Sequence, residues 1–364
     1  MGLVRRVARA RLGSQVIRRL RRAGVSDARY DATAFTVRFT AEGDDVPTVL
    51  PLDGLLARRS GSRRERRAQV DSFVSGFLRA PGLPGSWAEV RPLLRPVLRG
   101  ATPAPTAEVS APLCRPALPY LAEYVVVDQP DTMTYVAADQ LTVWDVDADA
   151  VFAAARANLS GAVLQGVATE PVVVQFVDDG NAYWTSHLLL PGWLARLADQ
   201  VGGVPVAFAP ERGTLIVAAD GSAHLSAVFG RCEQAFEASP RALTPMAYVS
   251  DEHGRTVPYA APPGHPLHGC VQRAAAVLAV AEYTRQARVL GDDAAPLQVT
   301  GSERDGWRTR AVWAKDAPTL LPLADEVRMG ERIVPWAELR AELAPVPDLN
   351  PPRWGAARWP GVAG

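Results

Sequence analysis

Two stretches of this chain hold reactive residue types at close spacing. The first is Asp178-Asp179-Gly180-Asn181 followed by Ser186-His187. Carboxylates, a hydroxyl and an imidazole are the groups a hydrolase uses as orienting acid, nucleophile and base. The spacing argues against that use. Adjacent helical side chains point about 100° apart, so His187 is badly aimed to take a proton from Ser186. A calcium loop would need oxygen ligands alternating over about twelve residues, and none follow at that spacing. The plainer reading is a turn, with Gly180 supplying its backbone freedom, that leads into a polar helix start.

The second stretch is His265-Pro266-Leu267-His268-Gly269-Cys270, three zinc-type ligands in six residues. A fourth ligand is not evident, and Pro262-Pro263-Gly264 reads as a loop entering a helix near His268. No metal or cofactor is expected. No phosphate loop, GxGxxG, HExxH or GxSxG occurs, which lowers the expectation of an enzyme. Arg115 and Asn158 read as buried polar partners fixing a hairpin against a helix. The positions worth following are therefore Arg115, Asn158, Asp179, Ser186 and His187, with no catalytic role assigned to any of them.

Composition narrows the setting. The 364 residues suffice for two or three cores, and 39 basic residues balance 39 acidic ones, which argues against a nucleic-acid-binding chain. Lys315 is the only lysine, a bias that fits GC-rich codon usage better than selection for arginine chemistry. The first 67 residues are the exception, with 16 arginines against 7 acids. That excess points to a weak anionic contact through the N-terminal arginines. Three cysteines, widely separated and without a CxxC pair, fit a reducing compartment. No apolar run reaches the roughly 18–20 residues of a membrane span, and arginines 5, 6, 9 and 11 stand where an export signal needs apolar residues. A cytoplasmic location is expected.

The elements follow from periodicity. Two apolar arcs on a wheel of residues 1–23 are nearly opposed across Gly13-Ser14. The packing helix is therefore expected to begin at Ser14 and end at Gly24, with residues 1–12 a loosely docked basic lead. Strands over 34–41 and 46–52 and a helix over 63–78 complete an α-β-β-α unit. In the middle, apolar runs 120–127 and 133–136 flank Asp128-Gln129-Pro130-Asp131 as a hairpin. Residues 145–149 then offer caps for a helix carrying Val151, Phe152, Ala155 and Leu159 at helical spacing, with Trp144 just ahead. A strand over 172–177, a helix over 188–200, a hairpin formed by 204–209 and 214–219, and a helix over 223–238 follow. The last third predicts a helix over 269–290, strands over 297–302, 307–315 and 319–327, and a short helix over 335–343. Strands joined by short turns predict an α+β class with mainly antiparallel sheets packed against helices. The expected organisation is two or three consecutive units, 1–102, 108–243 and 244–343, followed by a Pro-rich tail, 344–364, whose Trp354 and Trp359 favour docking over disorder.

Several of these features carry a resemblance. They are Arg115-Pro116, the hairpin ending in Tyr135-Val136, Trp144, Ala155-x-x-Asn158-Leu159, Asp179-Gly180, Ser186 with leucines 188–190, and PVAFAPERGTLIVA. In this order and spacing, over roughly residues 112–219, the chain resembles the YtpQ-like family of uncharacterised bacterial proteins. That family has a domain of unknown function, so the resemblance implies no activity. The expectation is a non-enzymatic adaptor or binding protein for a protein or small-molecule partner. The alternative is a hydrolase-like enzyme working from residues 178–187.

Overall fold

The computed structural model describes residues 2–23, 25, 27–39, 48–52, 55, 67–71, 73, 74, 83–102, 111–129, 132–163, 166–177 and 182–360. Contacts divide the chain into two units, residues 1–85 with 127–134, and residues 86–126 with 135–364. The class is α+β, with five mostly antiparallel sheets and helices packed against them among the described residues.

The first unit departs from expectation at its start. Helix α1 runs unbroken from Gly2 to Arg22, through the Gly13-Ser14 pair read as its beginning. Gly13 is a point of close approach: a Cβ there would lie 2.5 Å from Cδ2 of Tyr30. The Ser14 hydroxyl donates one turn back to the Ala10 carbonyl at 2.9 Å, which continues the helix instead of capping it. The basic lead is thus helical, and the Arg9 guanidinium lies 4.2 Å from the Phe35 ring centroid. The side chains of Leu3, Val4 and Val7 lie outside the described residues. Strands β1 (Arg29–Asp31), β2 (Thr36–Phe39) and β3 (Thr48–Pro51) pair antiparallel in that order. Val37 and Phe39 alternate inward, joining Val16, Leu20, Leu50 and Val74 in one core.

Strand β6 (Leu121–Gln129) pairs with β4 (Leu94–Gly100), β5 (Cys114–Leu118) and β7 (Thr132–Tyr135). The hairpin therefore forms where turn chemistry put it. The Arg115-Pro116 stretch adds a strand that periodicity did not reveal, with Arg115 opposite Glu123. Helix α2 (Ala148–Ala157) is capped by Asp147, whose carboxylate accepts the Ala150 amide at 2.7 Å. Val151, Phe152, Ala155, Leu159 and Trp144 are all buried.

The next sheet has the order β12-β11-β9-β10-β8, from β8 (Val173–Val177), β9 (Pro205–Glu211), β10 (Thr214–Ala219), β11 (Ala247–Ser250) and β12 (Thr256–Pro258). The single helix expected over 188–200 is instead two 3-10 segments, Trp184–Leu189 and Leu194–Leu197, and one α-turn, Ala198–Val201. Pro191 has no N–H to continue a helix, Gly192 takes φ 72°, and its amide donates to the Gly254 carbonyl at 2.7 Å. The strand read over 172–177 is a sheet edge, and only Phe176 in it is buried.

Helix α3 (Leu225–Ala238) covers this sheet, and α4 (His268–Leu290) serves two cores. Its Ala274 and Leu278 face the five-stranded sheet, while Ala279 and Tyr283 face the C-terminal strands. Those strands are β13 (Leu297–Ser302), β14 (Gly306–Trp313), β15 (Thr319–Pro322), β16 (Glu326–Met329), β17 (Arg332–Pro335), β18 (Ala344–Pro345) and β19 (Arg353–Ala356). The strand expected over 319–327 splits. The Leu323 amide donates to the Tyr283 hydroxyl at 3.1 Å, and the Asp325 carboxylate receives the Thr309 amide at 2.7 Å. The chain accordingly leaves one sheet and enters the other, where β16 pairs parallel to β14. The tail is docked: β19 pairs with β15, and Arg353 has no exposed surface. Among the described residues no helix is long and apolar enough to cross a membrane.

Candidate functional site

Ser186 and His187 sit in the first 3-10 segment, entered through Tyr183 in the left-handed backbone region, and both are buried. The His187 Nδ1 lies 3.1 Å from the Tyr183 carbonyl, which fixes the proton on that nitrogen. Its ring packs against those of Trp184 and Trp193, with centroids 5.2 and 4.9 Å away. This is a packed histidine, one of several rings in the core that also holds Leu188, Leu189 and Trp193. Asp179, with Asp178, Gly180 and Asn181, lies outside the described residues. The zinc-type residues are each used locally. His265 Nδ1 accepts the Leu267 amide, His268 Nδ1 contacts the Ala261 carbonyl at 2.7 Å, and Cys270 approaches the Ser226 hydroxyl at 3.9 Å. Among the described residues no three His, Cys, Asp or Glu side chains converge as a metal site.

Arg115 and Asn158 both meet α2, at different places. Glu123 on β6 is fully buried and accepts three hydrogen bonds: Arg115 Nε at 2.7 Å, Arg156 Nε at 2.7 Å and Arg156 Nη2 at 2.6 Å. The Arg115 guanidinium also lies 4.1 Å from the Phe152 ring centroid. Strand, hairpin and helix are therefore clasped around one carboxylate, and both of its oxygens are occupied. Asn158 is the C-cap of α2 and donates to the carbonyls of Arg91 and Leu94 at 2.7 and 3.0 Å. It ties the helix end to the turn entering β4, not to the hairpin.

A second polar group was not singled out in the sequence. Arg99 on β4, Arg241 after α3 and Arg285 on α4 lie near enough to Arg212, in the β9–β10 turn, for their charges to act on its guanidinium. The Arg212 amide donates to the Arg241 carbonyl at 3.1 Å, and the Thr185 hydroxyl to the Arg212 carbonyl at 3.3 Å. Arg99 Nε donates to the Tyr135 hydroxyl at 2.8 Å. Arg285 pairs with buried Glu282 at 2.5 Å, and that pair packs against Gly100, next to Arg99. Arg212 Nε is buried and meets no acceptor among the described residues. Burial, then the neighbouring charges of Arg99, Arg241 and Arg285, pushes the Arg212 guanidinium down to about 10. Burial raises Glu282 above the usual carboxylate range, against the pull of Arg285.

Comparison with known protein families, curated proteins and solved structures finds no match.

Chemically the two groups differ. The Glu123 clasp pairs two guanidiniums with one buried carboxylate, a second carboxylate, Asp149, lies 3.6 Å from Arg115, and each oxygen of Glu123 already accepts, so it holds structure together. In the second group, Arg99, Arg212 and Arg241 have no carboxylate partner among the described residues, and only Arg285 does. Nothing in the sequence could have flagged this, since the four arginines are spread over almost 190 positions of an arginine-rich chain.

Proposed function

We propose that the protein is a non-enzymatic binding protein, presenting a surface of its α+β scaffold to a protein or small-molecule partner. The observation that carries this reading is the packing of Ser186 and His187. The imidazole is committed through Nδ1 to the Tyr183 carbonyl and packed against two indoles, and Ser186 is only 1% exposed. A nucleophile and base so enclosed lack the open reacting position that acyl or phosphoryl transfer needs. The YtpQ-like resemblance belongs to the same proposal, as does a reducing cytoplasm, in keeping with Cys114, Cys232 and Cys270 as free thiols.

The test is turnover of ester, phosphate and peptide probes by the wild-type chain and by Ser186→Ala. An inert wild type supports the binding reading. Hydrolysis that is lost in a folded Ser186→Ala variant overturns it.

A further inference from the structure

We propose that Arg99, Arg212, Arg241 and Arg285, with the Tyr135 hydroxyl, bind the phosphoryl group of a small phosphorylated ligand. The proposal rests on the binding reading above and names the ligand class.

Three observations carry it. First, the group is unbalanced. Among the described residues the four guanidiniums have one carboxylate partner, Glu282, which accepts from Arg285. Like charges brought together without a counterion oppose folding, so the arrangement calls for an anion. Second, a donor is left over. The buried Nε–H of Arg212 has no acceptor among the described residues, although buried donors are ordinarily satisfied. Third, the group is anchored and still reaches solvent. The Arg212–Arg241 backbone bond, the Thr185 bond and the Arg285–Glu282 pair fix its frame. Tyr135 and Arg241 remain exposed, and Arg99, Arg212 and Arg285 are half-buried.

The ligand class follows from charge and shape. Three guanidiniums without a carboxylate partner suit a dianion better than a single carboxylate. The planar donor fork of arginine matches phosphate oxygens two at a time, and the Tyr135 hydroxyl adds a neutral donor. An extended nucleic acid would need a basic stripe, whereas this charge is gathered at one point of a chain with no net charge.

The test is calorimetric titration of the full chain with pyrophosphate and inorganic phosphate, at ionic strength held constant with chloride. A single-stranded oligonucleotide is the competing probe. One saturable pyrophosphate site is expected, weakened at least tenfold in Arg212→Met. Arg241→Ala, an exposed substitution that leaves the frame intact, should weaken it several-fold and keeps the test decisive if Arg212→Met does not fold. Without ligand, Arg212→Met should melt no lower than wild type, because it relieves repulsion. Absence of saturable binding to both phosphates, or undiminished binding in the variants, overturns the proposal. Binding of the oligonucleotide alone overturns the small-ligand assignment. None of these outcomes bears on probe turnover, so this site and the non-enzymatic reading fail separately.

Discussion

Arg353→Met is the sharpest test of how the C-terminal tail is held. Arg353 has no exposed surface, no carboxylate partner among the described residues, and four hydrogen bonds. These go to Gln286 Oε1 at 2.6 Å and to the carbonyls of Ala295, Leu320 and Tyr283 at 3.0, 2.7 and 3.1 Å. Burial brings its guanidinium down to about 10, so it remains charged at neutral pH. Methionine keeps much of the stem's packing and removes every donor. Two acceptors keep other partners: the Leu320 carbonyl still receives the Ala295 amide at 3.0 Å, and the Tyr283 carbonyl bonds along α4. Gln286 Oε1 and the Ala295 carbonyl are left without a donor, at about 1–3 kcal/mol each. Removing a buried charge offsets part of that loss, so the net cost should be about 3 kcal/mol. Urea unfolding followed by tryptophan fluorescence suits the measurement, because Trp336 and Trp354 lie 5.1 Å apart at the docked tail. A loss below about 1 kcal/mol, with the tail still resistant to protease, would refute the reasoning.

Other expectations can be checked with the same equipment. Phe152→Ala should cost about 3–5 kcal/mol, since the ring is 3% exposed and also carries the Arg115 contact; a loss under about 1 kcal/mol would remove α2 from the core. Gly13→Ala gains about 1 kcal/mol of helix propensity but pushes a methyl into the Tyr30 ring, so unit 1 should be destabilised by a net 1–2 kcal/mol or so, and a higher melting temperature would contradict that close approach. Glu123→Gln should cost about 3 kcal/mol by leaving Arg115 and Arg156 without their shared charge, and Arg115→Met in that background should recover part of it in a double-mutant cycle. Glu282 is raised by burial, so the folded state holds its proton to higher pH than the unfolded chain, and the stability this contributes is present at low pH and lost as pH rises through the folded pKa. The stability of Glu282→Gln relative to wild type should therefore increase between pH 4 and 7, and a flat or falling difference would show that Arg285 outweighs burial.

Local signals were enough wherever an element's neighbours in space are also its neighbours in sequence. The hairpins β6–β7 and β9–β10 were legible because turn residues and flanking β-branched runs act over a few positions. Helix α2 was legible because Asp147 caps it and its apolar face repeats at helical spacing. Class and antiparallel pairing followed from such pieces. Where a distant partner decides, the sequence was silent or misleading. Gly13 looks like a break until Tyr30 is seen against it, and residues 188–200 look helical until Gly192 turns its amide to Gly254. Arg115 and Asn158 read from the sequence as polar partners, but the buried carboxylate that binds Arg115 and the carbonyls that hold Asn158 depend on packing. The arginine group is the extreme case. Its members come from four elements, and Coulomb interaction depends on distance in space, which the order of residues along a chain does not state.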